Sequence, residues 1–166
     1  DVKASRGLGD VYKRQHPHMT AEVAVVHNGI IENFQELREY LQKRGIQHTT
    51  DTDTETIALL TQAMIEDGHE PIEAAKKTID KLTGAFALCF LFEGHNDLMV
   101  IARKGSPLAI GIGKGEMFVG SDAIALSPMT NKISYLEEGD FAVLTRANVQ
   151  VWDHSGALVE REIKTI

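Results

Sequence analysis

The change of hydrophobic period at Gly84 constrains this chain more than any other feature. Before it, apolar residues recur at helical spacing; after it come short apolar or alternating runs. Upstream, Phe34, Leu37 and Leu41 fall at i, i+3 and i+7, the stripe of an amphipathic helix. Asn33 and Glu36 have capping-box spacing at its start, and Lys43-Arg44 followed by Gly45 mark its end. Thr52 and Glu55 repeat the box before a second helix, whose predicted buried face is Ile57, Leu60 and Met64. Pro71 suits the first turn of a third helix, with Ile72, Ala75, Ile79 and Leu82 inward and Gly84 closing it.

Downstream, residues 85–92 form one continuous apolar run, which predicts a strand inside a sheet. Further strands are predicted at 98–102, 108–112, 117–120, 141–145 and 149–152, with an alternating stretch at 158–166. Turn clusters such as Gly94-His95-Asn96-Asp97, Lys114-Gly115 and Ser155-Gly156 separate them by a few residues, except across 121–140. Connections this short require antiparallel pairing, because parallel strands need long crossovers. Residues 23–26 add a short buried strand ahead of the helices, which His27-Asn28-Gly29 should end. The predicted class is α+β, with helices layered on antiparallel sheet.

A chain of 166 residues suits one domain. Its net charge of −7 argues against a general nucleic-acid binder, and no apolar run is long enough to span a membrane. No basic start leads into an apolar stretch, so no secretory leader is read. The single cysteine, Cys89, excludes an internal disulfide and fits a reducing, cytoplasmic location. Residues 1–15, "DVKASRGLGDVYKRQ", show neither period, and "DVYKRQ" resembles a translated transposon-end adapter. They are expected to be non-native or disordered and are kept out of the fold argument. Without them the charge is −9, from 13 basic and 22 acidic residues.

Asn28-Gly29 has two readings. Asn-Gly is a strong turn signal, but a carboxamide beside a glycine N–H is also a candidate oxyanion hole, with two donors and no Cβ in the way. Asp53 is either a solvated residue in a helix's first turn or a carboxylate for a cation such as an α-ammonium, with Asp51 as its competitor. His16-Pro17-His18 is too sparse for a metal, and no metal site is expected. Cys89 reads as an apolar filler. Gly111, Gly113 and Gly115 read as a hairpin, and Asp153-His154-Ser155 as a turn.

The stretch "AVVHNGIIENFQELREYLQKRG" followed by "TDTE" resembles the glutaminase domain of class II glutamine amidotransferases. "HPH", "LTGAFAL", "ARKGSPL", "SDAIAL" and "LEEGD" match in the same order, so the resemblance covers residues 16–166. "HNGIIEN" favours the glutamine–fructose-6-phosphate aminotransferase branch over the amidophosphoribosyltransferase and asparagine synthetase branches. The resemblance implies a four-layer αββα sandwich of the N-terminal nucleophile type that hydrolyses glutamine to glutamate and ammonia without a cofactor. It implies a separate C-terminal isomerase domain in the same polypeptide, which uses the ammonia to turn fructose 6-phosphate into glucosamine 6-phosphate, and a homodimer. It assigns Asn28 and Gly29 the oxyanion hole and Asp53 the substrate's α-ammonium.

The chain departs from the family at one point. The family nucleophile is a cysteine at the mature N-terminus, with its own amine as base. Here residue 1 is Asp1, and Cys89 is internal. Arg6 and Arg14 do not sit in the family's carboxylate-binding motif and are assigned no role. Residues 16–166 are therefore expected to be a partial glutaminase domain, incomplete at its N-terminus and inactive as given. Two alternatives stay open: a glutaminase serving another acceptor, such as a phosphoribosyl sugar, and a non-catalytic amino-acid-binding module.

Overall fold

The structure is a computed structural model that describes residues 18–166; the adapter-like segment and His16-Pro17 lie outside the described residues. Strands β1 (His18–Met19) and β2 (Val23–Ile31) lead into three helices, α1 (Phe34–Lys43), α2 (Asp53–Glu66) and α3 (Pro71–Asp80). Then follow β3 (Gly84–Phe92), β4 (Met99–Lys104), β5 (Ala109–Ile112), β6 (Met117–Gly120), a short helix α4 (Ala123–Leu126), β7 (Lys132–Tyr135), β8 (Phe141–Leu144), β9 (Val149–Trp152), β10 (Leu158–Val159) and β11 (Ile163–Thr165). A seven-stranded sheet runs β1-β2-β3-β4-β8-β9-β10, and a four-stranded sheet runs β11-β7-β5-β6. Every described ladder is antiparallel, as the short connections required.

The period of two along β3 sorts its side chains into two layers. Phe86, Leu88 and Phe90 face the helices and pack with Leu41, Ile57, Leu60 and Ala75. Ala87 and Cys89 face the other way and pack with Ile110 and Val119 of the smaller sheet. Beyond that sheet, Ala109 and Ile133 meet Leu126 of α4. The order is helices, sheet, sheet, helix, which is the four-layer α+β sandwich the resemblance implied. The fully buried leucines and isoleucines in these layers each contribute roughly 1.5–3 kcal/mol by leaving water.

Several local expectations change. β2 does not stop at His27; it runs on through Asn28 and Gly29 to Ile31 and pairs with β3 throughout. Gly84 does not close α3, which ends at Asp80; it opens β3 opposite Ile31. Asn33 stands at the N-cap of α1 but makes no capping bond. Its amide instead donates to Lys81 O at 2.7 Å and accepts Thr83 N–H at 3.0 Å, tying α1 to the α3–β3 junction. Gly45 ends α1 as read: at φ +82 it lets Ile46 N–H reach Leu41 O. Ile72 is 40% exposed, whereas Ala74, Ala75 and Thr78 carry the buried face of α3. β7 and α4 were not anticipated, because "KISY" has one aliphatic residue and α4 is a single turn. The alternating stretch 158–166 splits, its first strand joining the large sheet and its second the small one.

Candidate active site

β2 carries its buried half into an open half. Val23 to His27 are buried, Asn28 is half-buried, and Gly29 and Ile30 are exposed. Asn28 pairs with Ala87 and Gly29 with Phe86. Gly29 sits at φ +106, and a Cβ there would collide with the Ala85 carbonyl oxygen. Glycine is needed here for backbone approach, inside a strand and not in a tight turn. Among the described residues Asn28 makes no side-chain hydrogen bond.

Asp53, the first residue of α2, comes to this same strand. Its Oδ2 accepts Ile31 N–H at 3.4 Å, and its Oδ1 lies 3.8 Å from His27 Nδ1. The carboxylate thus spans β2 from the residue before Asn28 to the second residue after Gly29. Amides along an antiparallel strand alternate in direction. Glu32 N–H turns to Thr83 O across the β3 side, and Ile31 N–H turns the other way, to Asp53. Gly29 shares the phase of Ile31. His27 Nδ1 also lies 3.2 Å from Thr54 Oγ1, which fastens the start of α2 to β2. Asp51, the competitor, is fully exposed and lies 3.6 Å from Arg38, away from the strand.

The junction leading into α2 is held by Glu55. This side chain is 2% exposed and accepts four bonds, from the N–H and hydroxyl of Thr49 and of Thr50, all between 2.7 and 2.8 Å. Burial alone would raise its carboxyl; the four donors outweigh that and bring it down to about 2. The predicted box at Thr52 is half right. Thr52 Oγ1 accepts Glu55 N–H at 3.3 Å, while the Glu55 carboxylate takes the upstream donors of Thr49 and Thr50. Sequence reasoning missed His27 and Glu55 as parts of this site. The available signals were His27's place beside Asn28 and the density of threonines before Glu55.

The remaining motifs settle as turns or core. Cys89 is buried between the sheets, and burial pushes its thiol up to about 12. Gly113 N–H bonds Glu116 O in the β5–β6 hairpin. Asp153 accepts bonds from Ser155 and Ala157 in a turn. Among the described residues no three metal-ligating side chains converge, and no helix is long and apolar enough to cross a membrane.

The family described as a glutamine amidotransferase domain matches residues 9–128. The chain belongs to that family. Its sequence relatives include the glutamine–fructose-6-phosphate aminotransferases (isomerizing) of Brucella suis biovar 1, 54% identical over 154 residues, and of Bradyrhizobium diazoefficiens, 57% identical over 147. These matches take in 93% and 89% of this chain but 25% and 24% of the relatives, so the chain spans about a quarter of their length. Among solved structures, a glutamine phosphoribosylpyrophosphate amidotransferase from B. subtilis superimposes with a TM-score of 0.70 at 24% identity, over 90% of this chain and 34% of that one. A glutamine aminotransferase class-II domain protein from Silicibacter pomeroyi gives 0.59 at 15% identity, over 87% of this chain and 73% of that one. These neighbours share the fold. In this α+β fold Asn28 and Gly29 lie in the second half of β2, and Asp53 meets the same strand at Ile31.

Proposed function

We propose that this end of β2 is the glutamine-binding floor of a glutaminase that feeds ammonia to a sugar-phosphate acceptor. The observation that carries the reading is the Asp53 carboxylate, lodged between His27 and Ile31 so that it brackets Asn28 and Gly29. A glutamine seated there would put its α-ammonium on Asp53 and its side-chain carbonyl toward the Asn28 carboxamide and the Gly29 N–H. When a thiolate attacks that carbonyl, the oxygen gains the charge, and fixed donors stabilise it more than they stabilise the neutral amide. Expelled ammonia leaves a thioester, which water then hydrolyses to glutamate.

The names of the sequence relatives support fructose 6-phosphate as the acceptor, and their greater length leaves room for an isomerase domain in the same polypeptide; a cytoplasmic homodimer completes the proposal. The attacking thiol is a different matter. The chain's one cysteine is sealed between two sheets and holds its proton at neutral pH. The 166-residue chain is therefore expected to bind glutamine and release no glutamate. Glutamate release by the purified chain, abolished by Asn28→Ala, would contradict this. Binding is tested by calorimetric titration with L-glutamine. Asp53→Asn should weaken it by about tenfold or more, since a charge-assisted contact is lost. Unchanged affinity would remove Asp53 from the site. In an enzyme of this family that carries its nucleophile, replacing the asparagine equivalent to Asn28 by alanine should cost on the order of a hundredfold or more in turnover.

A further inference from the structure

Asp53 is poorly fixed by its own side-chain contacts. Its hydrogen bond to Ile31 N–H is long at 3.4 Å, His27 is 3.8 Å away, and 27% of its side chain is exposed. A carboxylate held this loosely is placed mainly by its backbone, which the His27–Thr54 contact ties to β2 and which the buried Glu55 ties to the loop before it. Glu55 Oε2 takes the Thr49 N–H and hydroxyl; Oε1 takes those of Thr50. The Thr50 peptide is gripped on its other side as well, since Arg38 Nη2 donates to Thr50 O at 3.2 Å. The Thr50 hydroxyl in turn accepts Thr52 N–H at 3.3 Å and lies 3.0 Å from Thr52 Oγ1. Thr52 is the residue before Asp53. The chain of contacts is continuous, from Glu55 through Thr49 and Thr50 to Thr52 and so to Asp53.

Such a carboxylate is unusual as a mere filler. Burying a charge is costly unless it is fully bonded, and an apolar side chain would close the same space without that cost. The charge is kept because four donors in fixed directions define one loop conformation. The third position of a helix also suits a negative group, through the exposed amides of the first turn.

We propose that Glu55 is a positioning residue for substrate recognition: by clamping Thr49 and Thr50 it sets Asp53 at the distance from Asn28 and Gly29 that an α-amino acid amide requires. This rests on the reading of Asp53 as the ammonium partner. It adds that discrimination for the ammonium is controlled by a residue that never touches the ligand.

The experiment compares two ligands on the 166-residue chain: L-glutamine and its des-amino analogue, 4-carbamoylbutanoate. Affinities are read by calorimetry or by amide chemical-shift titration, and circular dichroism checks the fold of each variant. Glu55→Gln keeps the size but loses the charge and one acceptor oxygen. It should weaken L-glutamine by about tenfold while leaving the des-amino analogue within about twofold, because only the ammonium contact is displaced. Loss of folded fraction would lower both affinities together, so a parallel decline overturns the proposal. If Glu55→Gln does not fold, Thr50→Val decides, since it removes one hydroxyl donor and leaves the carboxylate. It should narrow the preference for L-glutamine by a few-fold, and an unchanged preference overturns the proposal. Asp53→Asn separates the two levels. If it leaves the preference intact, the ammonium reading itself fails; if it abolishes the preference while Glu55→Gln spares it, only the positioning role fails. Binding of neither ligand by the wild-type chain overturns both.

Discussion

Two regions of this molecule each place a carboxylate against packed backbone, and they treat it in opposite ways. At the crossover between the sheets, Asp140 is fully buried and answered by Arg161, which donates from Nε to Oδ2 and from Nη2 to Oδ1, both at 2.8 Å. The Asp140 Oδ2 also accepts Glu137 N–H at 2.7 Å. At the start of α2, Asp53 has no lysine or arginine within ion-pair distance among the described residues; only His27 approaches, at 3.8 Å. An acid that brings its own cation is a fastener. An acid beside an exposed glycine, with no lysine or arginine against it among the described residues, is suited to a cation from outside. Net charge and composition are blind to this difference, because both residues count equally in the −7.

Stability measurements should rank the acids in the reverse order of their proposed use in binding. The largest loss is expected for Asp140→Ala, about 3–5 kcal/mol in urea unfolding, because Arg161 is left with an unanswered charge in a half-closed site. A loss below about 1 kcal/mol would show that Arg161 swings to Glu137, its other partner at 3.0 Å, and that the fastener reading is wrong.

Glu55 comes next. Its carboxyl is lower in the folded chain, about 2, than the ordinary 4.5. Folding is therefore favoured wherever the unfolded chain has already lost the proton. The contribution is full above roughly pH 4.5 and disappears as pH falls through about 2, amounting to at most about 3 kcal/mol. Acid titrations of stability should show this slope in the native chain and lose most of it in Glu55→Gln. Identical slopes would mean that the four threonine donors do not hold the ionised form.

Gly29→Ala should cost on the order of 1–3 kcal/mol, from the positive φ together with the collision at Ala85. A neutral result would mean that the β2–β3 pairing relaxes easily at this point. The smallest effect belongs to Asp53→Asn, within about 0.5 kcal/mol of the native chain, since the residue holds little together. A large loss there would erase the contrast with Asp140 and recast Asp53 as structural.

The two periods were legible because each reflects burial of one continuous face. Residues 85–92 could only be an inner strand, and Ile57, Leu60 and Met64 could only face a core. Asn28 and Gly29 stood out as candidates, but their place inside a ladder was not legible. A positive φ within a ladder and a positive φ within a turn demand the same residue, so "HNG" looked like an ending. Pairing across distance was the other blind spot. Nothing local tells the stretch 158–166 that Val159 belongs opposite Val151 and Lys164 opposite Ile133, on different sheets. The approach of Asp53 to β2 likewise exists only once α2 has packed on the sheet. Glu55 was assigned to the right helix turn but to the wrong donors, because the competing threonines lie upstream of the cap and not within it.

The lone thiol of Cys89 lies where the two sheets press together, and it keeps its proton at neutral pH. A thiol-seeking reagent added to the native chain must wait for the sheets to part. Its rate of uptake then counts how often the sandwich opens, with no label introduced and no second cysteine to confuse the signal. The residue that cannot serve as a nucleophile is thereby a clock for the integrity of the fold around the site.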